Sequence, residues 1–289
     1  MTSPWHIGVI GGSGIYQSVE LDDAQEIPVE SGFGDPSGPV TTGWLGGVRF
    51  TFIARHGEQH KFPPSQVNYR ANIDVLKRCG VTDVLALSAI GSLKEDYAPG
   101  HFVAVDQMID RTAGRERSFF GEGCVAHVSL ADPVCARLSA LAGDAAEAAG
   151  ATVHRSGTYV AIEGPQFSTR AESHMYRAWG ADVIGMTAMP EARLAREAEL
   201  PYALLAMVTD YDCWRSTEEE ANVEAIVAVM RNNAQLARSA LVKLAELLPP
   251  ERLASPIDTA LAGAFASNVV QPDPALRARL SAVAGRVWQ

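Results

Sequence analysis

Cysteine is scarce in this sequence of 289 residues, which has only four. They are scattered along the chain (Cys79, Cys124, Cys135 and Cys213), without a Cys-x-x-Cys motif or a Cys/His spacing typical of metal ligands. Such sparse usage excludes a disulfide framework and a zinc site of that kind, and it predicts reduced thiols in a cytoplasmic protein. No metal site is expected.

Long apolar runs are also missing. No stretch reaches the roughly 18 consecutive apolar residues that a membrane-spanning helix requires, and the chain does not open on a basic segment followed by an apolar run, as a signal peptide does. We therefore expect a soluble protein that has no membrane partner.

Positive charge is under-represented, with 24 Lys and Arg against 34 Asp and Glu, which gives a formal net charge of −10. This balance argues against a general nucleic-acid binder, because phosphate backbones are held by clustered Lys and Arg. It does not exclude a small anion, since a few backbone amides and one or two cations can bind one. Hydrophobic residues make up 47% of the sequence, enough for a sizeable core.

Short β-rich segments alternate with longer helical ones, which predicts a single α/β domain over residues 1–289, with the part after about residue 270 left open. Nearly continuous apolar runs are typical of strands buried on both faces of a largely parallel sheet. The predicted strands are His6–Ile10, Val48–Ala54, Val81–Ser88, Phe102–Val105, His154–Ile162, Asp182–Met186 and Tyr202–Val208. The predicted helices are Val67–Cys79, Pro133–Ala149, Thr169–Trp179, Pro190–Glu199 and Thr217–Leu248, while Ser31–Gly43 and Asp110–Gly123 are predicted loops.

Three predicted strands end in groups that can bind an anion. The first runs into Gly11-Gly12-Ser13-Gly14, whose glycines let backbone amides approach a ligand, although the spacing fits neither a dinucleotide-binding nor a Walker A motif. The second is followed by Arg55-His56, and the third by Ser88-Ala89-Ile90-Gly91-Ser92. Each alone is compatible with an ordinary turn or surface residue, but three together favour a phosphate site.

Three further motifs follow: Glu163-Gly164-Pro165-Gln166-Phe167-Ser168, then Gly185-Met186-Thr187-Ala188-Met189-Pro190-Glu191, and Thr209-Asp210-Tyr211-Asp212. With the glycine-rich turn and Arg55-His56-Gly57, they occur in the order found in the trimeric purine nucleoside phosphorylase family. From the first strand to about Met230 the chain resembles that family, and within it most closely the 5′-methylthioadenosine phosphorylases. The resemblance implies one domain with a central mixed, largely parallel β-sheet flanked by helices.

It also implies phosphorolysis, in which inorganic phosphate attacks C1′ of a nucleoside as the purine leaves. The protein's contribution to this reaction is to position the reactants and to stabilise the developing charge, and no protein nucleophile, metal or organic cofactor is needed. By similarity, the expected phosphate ligands are Ser13, Arg55, His56, Ser88, Ala89 (through its backbone) and Thr187. Met186 is expected to hold the ribose through its main chain, Phe167 to stack on the purine, and Ser168 to belong to the same substrate-binding set.

Asp210 and Asp212 are expected to select the base. A carboxylic acid at purine N7 assists departure of the base, and a 6-amino group requires acceptors, so the resemblance makes Asp210 the general acid and favours adenine. Members of the family that act on 6-oxopurines generally carry Asn at the first position. The two aspartates are also compatible with a turn or helix cap.

For the 5′ end, the resemblance implies an apolar pocket lined by Val223 and Ile226, with His127 contributed by a neighbouring subunit. The helical spacing of Val223 and Ile226 also fits plain core packing. A shared site of this kind implies a homotrimer, or a dimer of trimers. An apolar pocket prefers a thiomethyl group over a hydroxyl by a few kcal/mol at best.

Several functions remain open from the sequence alone. The preferred one is phosphorolysis of methylthioadenosine to adenine and 5-methylthioribose 1-phosphate, in purine and methionine salvage. The nearest alternative is a phosphorylase for 6-oxopurine nucleosides or methylthioinosine. A nucleoside hydrolase and a nucleotide-binding module without catalysis are more distant alternatives.

Overall fold

A computed structural model describes residues 4–12, 19–215, 223–266 and 273–288, with only the backbone for residues 223–227. Its strands are β1 (His6–Gly11), β2 (Asp22–Ile27), β3 (Val40–Leu45), β4 (Val48–Ala54), β5 (Asp83–Ser92), β6 (Phe102–Val105), β7 (Gln107–Arg111), β8 (Val153–His154), β9 (Thr158–Ile162), β10 (Val183–Gly185) and β11 (Tyr202–Asp210). Its helices are α1 (Tyr69–Arg78), α2 (Ala136–Ala148), α3 (Arg170–Ala178), α4 (Ala188–Glu197), α5 (Val223–Leu247), α6 (Pro274–Arg279) and α7 (Ser281–Ala284).

The eleven strands form one mixed sheet in which β5 is the branch point. One edge of β5 pairs along its length with β11, in parallel. The other edge pairs in parallel with β1 up to Ala86, and then antiparallel with β10 at Gly91 and Ser92. Among the described strands, none pairs with Leu87–Ile90 on this second edge, so the sheet opens there. Such a change in strand order is where open α/β sheets bind ligands.

The core lies on both faces of this sheet, as the alternation of side chains along β5 and β11 requires. Val84 and Ala86 contact one cluster, which α1, α4 and the C-terminal α7 cover. Leu85 and Leu87 contact the other, which α2 and α5 cover. Because both faces are packed, the central strands are almost entirely apolar until they reach the opening.

The C-terminal residues pack against this core. Leu280, Val283 and Ala284 are fully or almost fully buried in the cluster beneath α1 and α4. Immediately before the undescribed residues 267–272, Phe265 forms an antiparallel bridge with Ala126. The last part of the chain therefore supports the segment that carries His127.

The α/β fold class is confirmed, and four predicted helices agree with the structure to within two or three residues at each end. The start predicted at Thr217 for the fifth helix lies outside the described residues. The prediction of one strand over His154–Ile162 was wrong, because the chain breaks into β8 and β9. The prediction that the third strand ends at Ser88 in a small-residue turn was also wrong, because β5 continues to Ser92. The loop assigned to Ser31–Gly43 was wrong at its end, where β3 begins at Val40, and the loop assigned to Asp110–Gly123 was wrong at its start, where β7 continues to Arg111.

Three strands were missed altogether: β3, whose Thr41-Thr42-Gly43 stretch lay in the predicted loop, and β2 and β7. The side chains of β2 are mostly exposed and polar, and those of β7 are partly or fully exposed. Neither has the apolar alternation by which a strand is recognised from sequence. In the described part of the chain, no helix is both long enough and apolar enough to span a membrane.

Candidate functional site

The opening beside β5 brings together two hydroxyl groups from distant parts of the chain. Ser88 lies on β5, and Thr187 lies just before the first residue of α4. Their side-chain oxygens are 3.3 Å apart, and both residues are buried. The backbone N–H of Thr187 donates to the hydroxyl of Tyr159, at 3.2 Å, so its main chain is held from beneath. Ala89 follows Ser88 along the same unpaired edge.

Arg55 reaches the same region from the end of β4, but its guanidinium is 2% exposed and already bonded. Nε and Nη2 donate to the two carboxylate oxygens of Glu191, at 2.7 and 2.9 Å. Nη1 donates to the carbonyl of Leu87 and Nη2 to that of Ile10. A guanidinium has five N–H donors, so one N–H, on Nη1, is left for a ligand.

The ion pair of Arg55 with Glu191 is a fully buried one. Burial alone lowers the pKa of Arg55, but the charge of Glu191 outweighs it and holds that pKa above its usual range. Tyr202 adds a third member, since its hydroxyl donates to Oε1 of Glu191 at 2.9 Å. Arg55 therefore ties β1, β5 and α4 together, whatever it contributes to a phosphate.

His56, next to Arg55, is oriented by a single bond. Its Nδ1 lies 2.9 Å from the carbonyl oxygen of Phe62, so Nδ1 carries the proton and donates, and its ring stacks on that of His60. Desolvation first, and then the charge of Arg55, lower the pKa of His56 to about 4. The imidazole is neutral at pH 7, with Nε2 as an acceptor. Gly57 permits this turn, because its φ is +71° and a Cβ there would lie 2.9 Å from the carbonyl oxygen of Ser37.

The candidate ribose and base residues lie on two turns that approach each other. Gly164 has φ +66°, and a Cβ on it would come within 2.4 Å of Sδ of Met186. Only glycine at position 164 thus lets the Met186 side chain pack against this turn. Phe167, three residues on, is 83% exposed. The hydroxyl of Ser168 is buried and has no hydrogen-bond partner among the described residues.

The two aspartates lie where β11 ends. Asp210 pairs with Gly91 of β5, after a shift in register that follows Val208. Its Oδ2 accepts from the hydroxyl of Thr209, at 2.7 Å, and its Oδ1 from the backbone N–H of Asp212, at 2.8 Å. Its Oδ1 would lie 3.2 Å from a Cβ on Gly91, so the carboxylate packs directly over the end of β5.

Asp212 differs from Asp210 in its surroundings. It has a left-handed φ of 49°, and its Oδ2 accepts a short hydrogen bond from the hydroxyl of Ser173. Desolvation, more than the neighbouring charge of Asp210, raises the pKa of the Asp212 carboxyl. The Asp212 carboxyl therefore takes up a proton at a higher pH than a solvent-exposed aspartate does.

Four of the predicted site residues are not joined to this group. Ser13 lies outside the described residues, and Val223 and Ile226 lie on the backbone-only start of α5. His127 is exposed, and its backbone N–H donates to the carbonyl of Ala264 at 2.8 Å. None of the hydrogen bonds in the described residues links it to the other candidates.

Three residues with structural roles in the site were not predicted from the sequence: Glu191, Tyr159 and Arg115. Glu191 was part of a motif quoted above, but nothing in the sequence relates it to Arg55, 136 residues earlier. Arg115 lies in a segment predicted as a loop, where nothing distinguishes it from the neighbouring Arg111 and Arg117. In the sequence, Tyr159 is indistinguishable from the other apolar positions of a buried strand, so its hydrogen bond to Thr187 could not be predicted.

No group of three or more His, Cys, Asp or Glu side chains suited to a metal ion occurs among the described residues. The described site offers instead hydroxyls, one neutral imidazole, one guanidinium N–H and two carboxyls. This set can bind a small oxyanion and, beside it, a group that presents hydrogen-bond donors.

Comparison with known proteins identifies relatives of the whole chain. A sequence profile of the phosphorylase superfamily matches residues 6–246. The S-methyl-5′-thioadenosine phosphorylase of Cereibacter sphaeroides is 55% identical over 283 residues, which cover 97% of this chain and 98% of that protein. The enzyme of the same name from Bradyrhizobium diazoefficiens is 52% identical, over 97% of each.

A solved structure of a protein with a similar name also matches this fold. The crystal structure of a methylthioadenosine phosphorylase from an antarctic soil metagenomic library has a TM-score of 0.93 to this fold. The two chains are 43% identical, and the match covers 97% of this chain and 99% of that one. Sequence and fold therefore point to the same group of proteins over nearly the full length.

Proposed function

Because the chain belongs to the phosphorylase superfamily, we propose that it is an S-methyl-5′-thioadenosine phosphorylase. It is a pentosyltransferase, and the proposed reaction is reversible transfer of the 5-methylthioribosyl group from adenine to inorganic phosphate, in purine and methionine salvage. Two relatives that bear this name are 55% and 52% identical over nearly the whole chain. Phosphate is a co-substrate, and no metal or organic cofactor takes part.

The opening beside β5 is the proposed phosphate site. We expect Ser88, Thr187, the backbone of Ala89, the remaining N–H of Arg55 and His56 to bind the phosphate, with Ser13 as a further ligand outside the described residues. Neutral His56 offers Nε2 as an acceptor for a P–OH group, while the hydroxyls and the guanidinium donate to P–O⁻ oxygens. The anion bound here would also stabilise the positive charge that develops on the ribose.

The single observation that carries the choice of adenine is the pair of carboxyls at the end of β11. Asp210 and Asp212 adjoin the opening through Gly91, and they can accept from a 6-amino group while one of them donates a proton to N7. We propose Asp210 as the general acid at N7 and Asp212 as an acceptor for the 6-amino group. Met186, Phe167 and Ser168 complete the nucleoside site.

Product analysis tests this proposal directly. Methylthioadenosine, adenosine and inosine are incubated with the protein, with and without phosphate, and the released bases are separated by chromatography. We expect phosphate-dependent release of adenine, fastest from methylthioadenosine. Rapid cleavage of inosine with none of methylthioadenosine would support the 6-oxopurine alternative. Release without phosphate would indicate a hydrolase, and binding without release a nucleotide-binding module.

We also propose that the site is shared between subunits of a homotrimer, or of a dimer of trimers. His127 of one subunit would then close the 5′ pocket of the next, opposite Val223 and Ile226. The exposure of His127 supports this, since it leaves the residue free for a neighbour. Light scattering gives the mass of the assembly.

Mixing two variants tests the sharing itself. Asp210→Asn and His127→Ala each impair a different component of one site, so oligomers re-formed from both should contain some sites with neither change. Activity of the mixture above that of either variant is the expected result. No gain in a mixture whose subunits demonstrably exchange would exclude a shared site.

We further propose that residues 1–289 form a single domain in the cytoplasm. The burial of Leu280 and Val283 in the same core as the central strands supports one domain. Free Cys79, Cys124, Cys135 and Cys213 support a reducing compartment. A single unfolding transition and recovery in the cytoplasmic cell fraction are the expected results.

A further inference from the structure

Arg115 makes several side-chain hydrogen bonds near the candidate site, although the proposed reaction assigns it no role. It lies in the segment between β7 and α2, yet its side chain is 2% exposed. Nε donates to Oε2 of Glu163 at 2.9 Å, and Nη2 donates to the carbonyl of the same residue at 2.6 Å. Nη1 donates to the carbonyls of Met186 and Met189, at 2.7 and 3.0 Å.

These acceptors belong to the two turns that form the nucleoside side of the site. Met186 and Met189 enclose Thr187, at the start of α4, and Glu163 begins the turn that continues to Phe167. One planar cation thus joins the candidate ribose and phosphate turn to the candidate base turn. The hydroxyl of Tyr69 is a further acceptor of Nη1, at 3.1 Å, and it connects the same guanidinium to α1.

Glu163 is fixed in the same network. Its Oε2 also accepts from the backbone N–H of Ala113, at 2.8 Å. The carboxylate therefore neutralises Arg115 and holds the segment that carries it. Because the guanidinium is surrounded by carbonyl oxygens and one carboxylate, every direction of its planar fork is matched by an acceptor.

The arrangement also restricts what Met186 can do. The carbonyl oxygen of Met186 accepts a hydrogen bond from Arg115. A ribose hydroxyl that binds this main chain would therefore donate to a carbonyl that Arg115 already polarises and holds in place. A shift of this turn relative to the Phe167 turn would separate the sugar from the base site. Misplacement by about 1 Å is enough to lower a rate by about 100-fold.

We propose that Arg115 is a positioning residue for the nucleoside: it sets the separation of the Met186 turn from the Glu163–Phe167 turn. The inference rests on the proposed function, since it assigns the nucleoside to these two turns. Arg115 does not touch the reacting atoms, and its effect is transmitted by the carbonyls of Met186 and Glu163. Lys, which has a single nitrogen with three N–H donors and no planar fork, cannot reproduce the set of hydrogen bonds that Arg115 makes here.

The test compares Arg115→Lys with the conservative change Glu163→Gln, and with Arg78→Lys as a matched control. Arg78 is a half-buried arginine paired with Asp74 on α1, away from both turns. For each protein, kcat and the KM values for nucleoside and phosphate are measured, together with the midpoint of thermal unfolding. Adenine binding is measured by calorimetry in the absence of turnover.

We expect Arg115→Lys to raise the KM for nucleoside about 10-fold or more and to weaken adenine binding. The KM for phosphate should change less than 3-fold, because Thr187 is also held by Tyr159 and Ser88. Glu163→Gln, which leaves the carbonyl contacts of Arg115, should act in the same direction by a smaller factor, and Arg78→Lys should change neither KM. A purely structural role lowers kcat in proportion to the folded fraction and leaves both KM values unchanged, and that outcome would overturn the proposal.

The design separates this proposal from the proposed function. If the unmodified protein releases no base from any nucleoside, the proposed function fails and calorimetry with adenine still reports on the two turns. If the unmodified protein is active and Arg115→Lys retains its KM for nucleoside and its adenine affinity, the positioning role alone is wrong. Should Arg115→Lys prove unfolded, Glu163→Gln provides the same contrast of the two KM values.

Discussion

The two sides of the candidate site are built differently. On the phosphate side, Arg55, Ser88 and Thr187 are buried and held by bonds to the sheet and to α4. On the base side, Phe167 is 83% exposed and Asp212 adopts a left-handed backbone conformation. The phosphate side is therefore preorganised by the fold, whereas the base side depends on short turns that one guanidinium connects.

This difference has a physical origin. The candidate phosphate residues Arg55, Ser88 and Thr187 lie on or next to strands whose faces are packed in the core, so their positions are fixed by burial that the whole domain shares. Apart from Asp210, which ends β11, the candidate base residues lie on loops, where a side chain keeps its place mainly through hydrogen bonds. Substitutions on the phosphate side should therefore mainly lower the unfolding free energy, whereas substitutions on the base side should mainly affect substrate binding and turnover.

The largest effect is expected from Asp210→Asn on the base side. Removal of a general acid lowers turnover by about 10²–10⁴-fold, and an amide donor at this position should shift preference toward 6-oxopurines. Steady-state rates on methylthioadenosine and methylthioinosine measure both effects. Asp212→Asn is the paired variant, and the pH dependence of kcat in the two distinguishes which carboxyl supplies the proton. Unchanged turnover of methylthioadenosine in both variants would contradict the assignment of the base site.

Glu191→Gln is expected to have the largest effect on stability, and it acts on the phosphate side. The change leaves the charge of Arg55 buried without a counter-ion, which typically costs about 3–5 kcal/mol of unfolding free energy. Tyr202→Phe, which removes only one hydrogen bond to the same carboxylate, should cost about 1 kcal/mol. Urea unfolding of the two variants gives the comparison. Equal losses would mean that the ion pair is not what holds the opening beside β5.

Acidification should change the unfolding free energy in opposite directions through a group on each side, His56 and Asp212. The pKa of His56 falls from an ordinary 6.5 to about 4 on folding, so the unfolded chain takes up a proton first as the pH is lowered from 6.5 to 4. The contribution of His56 to the unfolding free energy is therefore fully present above pH 6.5. It decreases by roughly 1–3 kcal/mol as the pH falls from 6.5 to 4. Asp212 acts in the opposite sense, because its pKa is raised on folding.

Urea titrations between pH 4 and 7 test this pair of signs. His56→Asn should flatten the loss of unfolding free energy on acidification, whereas Asp212→Asn should steepen it at pH values just above the ordinary pKa of an aspartate, 3.8. Saturating phosphate offers a second measurement, since a bound anion favours protonated His56 and should raise its pKa. A pH profile that neither variant alters would mean that other groups dominate the acid response.

Sequence reasoning recovered the order of strands and helices because buried strands and amphipathic helices leave a periodic apolar pattern. It did not recover β2 and β7, whose side chains are mostly polar and at least partly exposed at the edges of the sheet, or β3, whose start lay in a predicted loop. In the site, strand ends pointed to Arg55 and Asp210, whereas Ser88, predicted at a strand end, lies inside β5, which continues to Ser92. The partners Glu191 and Arg115 did not emerge, because their roles depend on contacts over 136 and 71 residues of chain, which no local pattern encodes.

The smallest effect is expected from Phe167→Ala on the base side. A side chain that is 83% exposed contributes little to folding, so the unfolding free energy should change by less than about 0.5 kcal/mol. Stacking on a purine contributes about 1–2 kcal/mol, which corresponds to a rise of roughly 5- to 30-fold in the KM for nucleoside. Phe167→Tyr, which keeps the ring, is the matched control and should leave that KM near its original value. A loss of stability without a change in KM would make Phe167 a packing residue of a subunit interface, and the exposed base side would then be covered by a neighbouring chain.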